Sequence, residues 1–312
     1  MLQIPEKDFH KSVKVSNVGV TALGDWLEAC LLFSRERVSK SDVVDLLIEE
    51  QICNDEDQDM AYQIATQGWE ELNRRRRWGG LSLDISFTRD RLTRGGTWED
   101  NLFSSFMVLL SLFRIYPKWA GDHRDYVGQG DLFERCTEVI CPSLLPGWNT
   151  YRAGWTPDDA KNIPGIVEAL CELLHTSGAT DLDDWIAPQG NDGGLDLVCY
   201  RTYGDERQGT PVFFLQCASG KNWRDKIHTP NGSTWQKYLN AAVTPSTGII
   251  APFVIENSEL KRASLEGQAI VFDRIRLLSA KRSLPVELPN DLADELRAWM
   301  SVRVEALPMA SV

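Results

Sequence analysis

Asn191-Asp-Gly-Gly-Leu-Asp196 and Phe213-Phe-Leu-Gln-Cys-Ala-Ser-Gly-Lys-Asn-Trp223, which sets Gln216 twenty residues after Asp196, are the two stretches on which the fold turns. The Gly-Gly pair reads as a turn. Leu195 to Arg201 then alternates apolar and polar residues, as a half-buried strand does. Val212 to Cys217 is a dense apolar run, as in a buried strand. Tyr203-Gly-Asp-Glu-Arg-Gln-Gly-Thr-Pro211 between them is rich in turn formers and predicts a hairpin. Asp196 and Gln216 are therefore expected side by side on neighbouring strands. A carboxylate and an amide oxygen are hard donors of the kind Mg²⁺ takes. A phosphodiesterase built on them also needs a cation near the developing charge.

Upstream of this pair the chain reads as helical. Asn17 to Phe33 and Ser41 to Glu50 carry apolar residues at three- and four-residue spacing, with Ser39 or Ser41 as a cap. Asp57 to Arg77 is a further helix, ending in Arg74-Arg-Arg-Arg77 before Trp78-Gly-Gly. Thr97 to Tyr116 is another, capped by Thr97 and stopped by Pro117. Gly128-Gln-Gly-Asp131 opens a helix over Leu132 to Ile140, and Pro142 to Pro157 reads as a loop. Ile163 to His175 is helical. Downstream, Gly248 to Ile255 and Ala269 to Leu277 read as strands, with a short helix over Glu259 to Glu266 between them. Asp291 to Arg303 is an amphipathic closing helix. The change of period suggests a helical region over 1–120 that regulates or docks a partner, and an α/β domain over 121–312.

The two strand segments resemble the PD-(D/E)XK nuclease superfamily, the restriction-endonuclease-like enzymes, and in particular its defence-associated branch. That family carries a Gly-Gly-Ile/Leu-Asp turn, then a strand ending in Gln-Cys-Lys or Glu-x-Lys. The resemblance covers roughly residues 128 to 280. It implies a central mixed β-sheet flanked by helices, here preceded by an all-helical N-terminal region. It also implies a metal ligand at Asp196, a second at Gln216, and a helix carboxylate at Glu134 in Gly130-Asp-Leu-Phe-Glu134. Glu134 lies off the centre of the apolar stripe formed by residues 132, 133, 136, 139 and 140. A solvated face is therefore its competing reading, and Glu168 or Glu172 could take the role. Asp192 is either a turn former or a residue supporting the metal.

The family pattern places a lysine two residues after Gln216, where this chain has Ala218. Side chains two apart share a strand face, and five apart do not. Lys221 reaches the site only if the chain folds back at Ser219-Gly220. The reading is a migrated lysine, Lys221, with Lys226 as second candidate. The competing reading is a site that binds metal poorly or not at all.

Trp223, Arg224 and Lys226, followed by His228, Trp235 and Lys237, form a basic-aromatic segment beside the site and are the expected substrate contacts. Arg74 to Arg77 with Trp78 is either a nucleic-acid contact or a solvated helix end. Asp273-Arg-Ile-Arg276 with Lys281-Arg282 adds further basic groups to the face of the basic-aromatic segment. The net charge of −12, from 33 basic and 45 acidic residues, excludes a protein that coats nucleic acid by charge alone. The seven cysteines form no CxxC pair and read as reduced, structural thiols. No ATP-binding GxxxxGK[ST] motif is present. No apolar run is long enough to cross a membrane. Met1-Leu-Gln-Ile-Pro-Glu-Lys-Asp lacks a signal-peptide pattern, so a cytoplasmic location is expected.

Together these features lead to a Mg²⁺- or Mn²⁺-dependent endonuclease that cleaves DNA ahead of RNA, in bacterial defence against foreign DNA. A protein partner, an ATPase among them, or a second copy is expected. The alternative is a non-catalytic nuclease-like subunit of a multi-protein defence complex, which −12 and Ala218 both favour.

Overall fold

The computed structural model describes residues 1–10, 17–54, 56–82, 84–154, 162–186 and 193–310. The chain begins with the antiparallel pair β1 (Phe9–His10) and β2 (Asn17–Val18), then α1 (Val20–Phe33). Next come β3 (Arg37–Ser39), α2 (Lys40–Glu49), α3 (Gln58–Arg77), β4 (Asp84–Phe87) and β5 (Arg91–Gly95). Ser39 caps α2 through a reciprocal box with Asp42, which satisfies two otherwise unpaired amides. Thr97 does the same with Asp100 for a 3-10 turn, Trp98–Asn101, which feeds α4 (Leu102–Ile115). Pro117 does end that helix. It also starts the next, α5 (Pro117–His123), because its missing amide costs nothing at a first helical position.

α6 (Tyr126–Leu144) begins earlier than its periodicity suggested, since Asp125 accepts from Gly128 N at 3.0 Å and caps it. It is followed by β6 (Asn149–Arg152), α7 (Ile163–Leu174), α8 (Leu182–Trp185), β7 (Leu197–Tyr200) and β8 (Val212–Cys217). Then come α9 (Gly232–Tyr238), β9 (Ser246–Ile250), α10 (Asn257–Gly267), β10 (Ile270–Phe272), α11 (Arg274–Ser283) and α12 (Asn290–Glu305). Among the described residues the main sheet has five strands in the order β10-β9-β8-β7-β6. β8, β9 and β10 are parallel, while β6 and β7 join antiparallel, so the sheet is mixed.

Two expectations need correction. The N-terminal region is not all helical: β3, β5 and β4 form a three-stranded antiparallel sheet. Its strands are short and mostly polar, with Val38, Ile85 and Leu92 supplying the buried side chains, so the alternation is too brief to register. The segment 269–277 is not one strand. It breaks at Asp273, whose Oδ1 accepts from Arg276 N at 3.0 Å and starts α11.

Alternate residues of β7 and β8 face opposite sides of the sheet. Leu197, Cys199, Phe213, Leu215 and Cys217 join a large apolar cluster with α1, α4 and α6, and this cluster includes residues on both sides of position 120. Val198 and Phe214 instead meet Ile166, Leu170, Trp235 and Leu239 of the α7 and α9 layer.

A buried ionic network binds the helical layers together. Arg75 of α3 donates to Asp25 (2.7 Å) and Glu28 (3.3 Å) of α1, to Glu71 (2.8 Å) and to the Thr21 carbonyl (2.9 Å). Arg274 of α11 donates to the same Asp25 and Glu28 at 2.7 and 3.0 Å, and to Ser111 Oγ of α4 at 3.0 Å. The other Glu28 oxygen accepts from Ser82 N and Oγ. Burial pushes the Asp25 carboxyl up, but the guanidiniums of Arg274 and Arg75 outweigh it and hold the group below its ordinary value. Arg75 thus belongs to the interior. Of the arginine run, Arg74 pairs with Glu71 and lies over the Trp78 ring, and Arg76 lies over Phe87.

Arg75→Met leaves Asp25 and Glu28 sharing the single guanidinium of Arg274, with Glu71 left to Arg74. We expect a loss of about 3–5 kcal/mol in unfolding free energy, read from urea denaturation. A loss below about 1 kcal/mol would show that the charges are hydrated rather than interlocked.

Candidate active site

Gly193 and Gly194 both adopt positive φ, +61° and +71°, a conformation open to glycine at little cost. The turn delivers Asp196 to the end of β7, where its backbone is pinned on both sides. Asp196 N donates to Leu215 O at 3.1 Å, and its carbonyl accepts from Ala153 N and Gly154 N at 2.8 and 3.0 Å. Its side chain turns along the sheet, and Oδ2 accepts from Cys217 N at 2.6 Å. The expected adjacency of Asp196 and the end of β8 is thus present in the backbone. Asp192 lies outside the described residues.

Glu134 arrives from α6. It is buried rather than solvated, because the neighbouring stretch Tyr151-Arg-Ala-Gly154 closes over it. Arg152 Nε donates to Glu134 Oε1 and its Nη2 to Asp131 Oδ1, both at 2.5 Å. A Cβ at Gly154 would fall 2.2 Å from Glu134 Oε1, so no other residue fits there without displacing the carboxylate. Burial, then the charge of Asp196, push the Glu134 carboxyl up to about 8, against the opposing pull of Arg152. Two carboxylates from distant parts of the chain, the buried Glu134 and the half-buried Asp196, therefore lie close enough for their charges to interact. Glu168 and Glu172 are exposed on α7.

Gln216 sits on the opposite face of β8 from Cys217. In the orientation that satisfies its surroundings, its amide NH₂ donates to the carbonyls of Lys226 and Thr229, each at 3.2 Å, and to the Thr229 hydroxyl. Its oxygen then faces Gly194. The structure ties Gln216 to the 226–229 loop and brings Glu134 and Asp196 to each other.

The cations separate. After Cys217 the chain turns at Gly220, where Trp223 N donates to the Gly220 carbonyl, and Lys221 is left exposed. Lys226 closes the 3-10 turn Trp223–Lys226 and is half-buried. Burial raises the Cys217 thiol well above its ordinary value, Asp196 and Glu134 add to this, and Lys226 opposes it. Trp223 is buried with Ala218, Ile227 and Ile249, so its ring is not presented to solvent. Arg224 pairs with Glu266 at 2.9 Å and Glu259 at 3.7 Å.

Arg152, Asp131 and Gly154 carry no sequence motif. Their one local signal is the brief alternation Thr150-Tyr-Arg-Ala153 inside a stretch read as loop. Among the described residues, no group of three or more His, Cys, Asp and Glu side chains gathers for a metal. The oxygen donors at hand are the two carboxylates, with the Gln216 amide beyond them. This hard, partly buried and negatively charged set suits a divalent cation such as Mg²⁺.

No family model and no curated protein matches the chain. Solved structures of the restriction endonuclease FokI, free and bound to DNA, align at TM-scores of 0.24 and 0.19 with 9% identity. The alignments cover 89% and 91% of this chain but only 46% and 48% of that one. Likeness of this degree carries no argument about what this chain does.

The unfolded chain releases the Glu134 proton near the ordinary value of 4.5, whereas the folded chain keeps it up to about 8. Between these values the folded state binds more protons. The stabilisation from this group is therefore complete below 4.5 and is lost as pH rises through about 8. In chelated buffer the wild type should lose on the order of 1 kcal/mol per pH unit across that window from this group. Glu134→Gln should remove that decline. Unfolding curves recorded across the window would decide it, and parallel profiles for the two proteins would refute the assignment.

Proposed function

We propose that the chain is a metal-dependent phosphodiester hydrolase acting on nucleic acid, with DNA as the first substrate to test. The observation that carries this reading is the confrontation of Glu134 with Asp196 at the end of β7, beside the Gly193-Gly194 turn. Glu134 and Asp196 would hold Mg²⁺ or Mn²⁺, with the Gln216 oxygen on the Gly194 side as a further donor. The cation would supply Lewis-acid polarisation of the phosphodiester.

The chain's own groups do the rest. Cys217 N–H orients the Asp196 carboxylate. Arg152 fixes Glu134 and must share it with an arriving cation. Glu134 has to give up its proton before it can serve as a ligand, so metal affinity should rise with pH. Lys226, half-buried where Lys221 is exposed, would be the cation that stabilises negative charge building on the phosphate, in the part the sequence pattern assigned first to Lys221. A role in defence against foreign DNA belongs to this reading by family resemblance alone.

One observation favours a second reading. Arg152 already neutralises Glu134 and Asp131, as an internal cation would in a nuclease-like subunit that has lost catalysis. The two readings differ in whether the carboxylate pair takes up metal.

Cleavage of supercoiled plasmid in Mg²⁺ or Mn²⁺ should be abolished by Asp196→Asn and Glu134→Gln. Lys226→Ala should slow it by about 100-fold, and Lys221→Ala by less than about threefold. Full activity of Lys226→Ala would overturn the assignment of the cation. A wild type that neither cleaves nor gains thermal stability from metal, with Asp196→Asn as comparison, would favour the non-catalytic reading.

A further inference from the structure

Two basic stretches far apart in sequence meet in space. The end of α3 and the last turn of α11 form the walls of a cleft of about 800 Å³, with Arg76 on one side and Lys281 and Arg282 on the other. Ser82, Asn101 and the carboxylate of Asp84 also line it. The cleft exists because Trp78-Gly-Gly80 lets the chain run close against α11. Gly79 adopts a φ of +70°, and a Cβ on Gly80 would meet Ile275 Cγ1 at 2.9 Å.

The charge balance of this cleft differs from that of the interior. Arg75, Arg274 and Arg152, three cations drawn out of water, each meet carboxylates at 2.5–2.7 Å, while the buried Lys40 donates to the Thr66 hydroxyl and lies over the Tyr62 and Trp69 rings. Lys281 is half-buried over the Phe103 ring at 5.8 Å, and its Nζ donates to the neutral Oδ1 of Asn101 at 2.9 Å. An ammonium has three donors, and this bond uses one. Arg76 bonds Asn73 and lies over Phe87, while Arg282 is exposed. Among the described residues Asp84 forms no ion pair with any of the three cations, which leaves the cleft with a surplus of two positive charges. A desolvated ammonium flanked by two guanidiniums is a recognition set for phosphate oxygens. The volume is that of a small-ligand site.

We propose that this cleft binds a phosphorylated ligand of nucleotide size, at a site separate from the Glu134–Asp196 pair. The shared chemistry is a phosphate group, carried either by a free nucleotide or by a nucleic-acid strand. The test uses the full chain and two probes, ADP by calorimetry and a fluorescein-labelled single-stranded oligonucleotide by anisotropy. Wild type, Arg76→Gln with Arg282→Gln, Lys281→Met and, as a control that removes an exposed cation elsewhere, Lys261→Gln are compared. At least one probe should bind wild type and Lys261→Gln alike. It should weaken by about tenfold or more in both cleft variants. The exposed Arg76→Gln/Arg282→Gln pair keeps the test decisive should Lys281→Met fold poorly. Loss of ADP binding identifies a free nucleotide. Loss of oligonucleotide binding, with a salt dependence shallower by about two phosphate contacts, identifies a strand. If neither probe binds more tightly than about 1 mM, or if the exposed pair changes affinity by less than about twofold, the proposal is overturned. Because no arm reads cleavage, the result stands apart from the fate of the nuclease reading.

Discussion

Two arginines with no exposure to solvent share the carboxylates of Asp25 and Glu28. A charge out of water must be matched, and matched with direction, or the desolvation penalty of several kcal/mol stands uncompensated. Geometry is therefore dictated here more strictly than by apolar packing, which tolerates sliding. Arg75 fixes the roll of α3 against α1. Arg274 fixes the start of α11 against both, and Ser111 brings in α4. Such a network is weak grounds for net stability, since well-packed apolar residues can do as well. What it supplies is a single registration of helices that otherwise present broad apolar faces.

That registration reaches the candidate site through packing. α11 lies against α6, and α6 carries Glu134. On its other side α6 packs on β6, β7 and β8, so the placement of Glu134 relative to Asp196 is the sum of two interfaces, one ionic and remote, one apolar and local. Arg152 completes the arrangement from the edge strand. It ties Glu134 and Asp131 of α6 to β6 through one guanidinium. A cation that entered would meet ligands already held in position, which lowers the ordering cost of binding.

The legible parts of this chain were the local ones. The capping boxes at Ser39 and Thr97, the apolar run of β8 and the Gly-Gly turn before Asp196 each act within a few residues, and each can be read from its own segment. The burial of Arg75 was not legible, because its partners lie 50 and 47 residues away and the run Arg74 to Arg77 looks like a solvated helix end. Arg152 was hidden for a similar reason, in a strand too short to show its period. The break at Asp273 shows the limit from the other direction. Ala269 to Leu277 satisfies an apolar pattern throughout, yet one side-chain oxygen bonded to the amide of Arg276 turns the chain from strand to helix.

Alanine at 218, where the resembled pattern has lysine, and glutamine at 216, one of that pattern's two choices, each have a physical explanation. Ala218 is 1% exposed and packs with Trp223, Ile227 and Ile249. A lysine there would bury an ammonium among apolar groups, at a cost the site could meet only with a new counter-charge. The carbonyls of Lys226 and Thr229 face the Gln216 side chain and require donors. An amide supplies two N–H groups, whereas a glutamate would set negative oxygens against carbonyl oxygens and release the loop. Glutamine at 216 is thus what this loop needs: the residue expected as the second metal ligand uses its NH₂ to anchor residues 226–229, which leaves its oxygen facing Gly194.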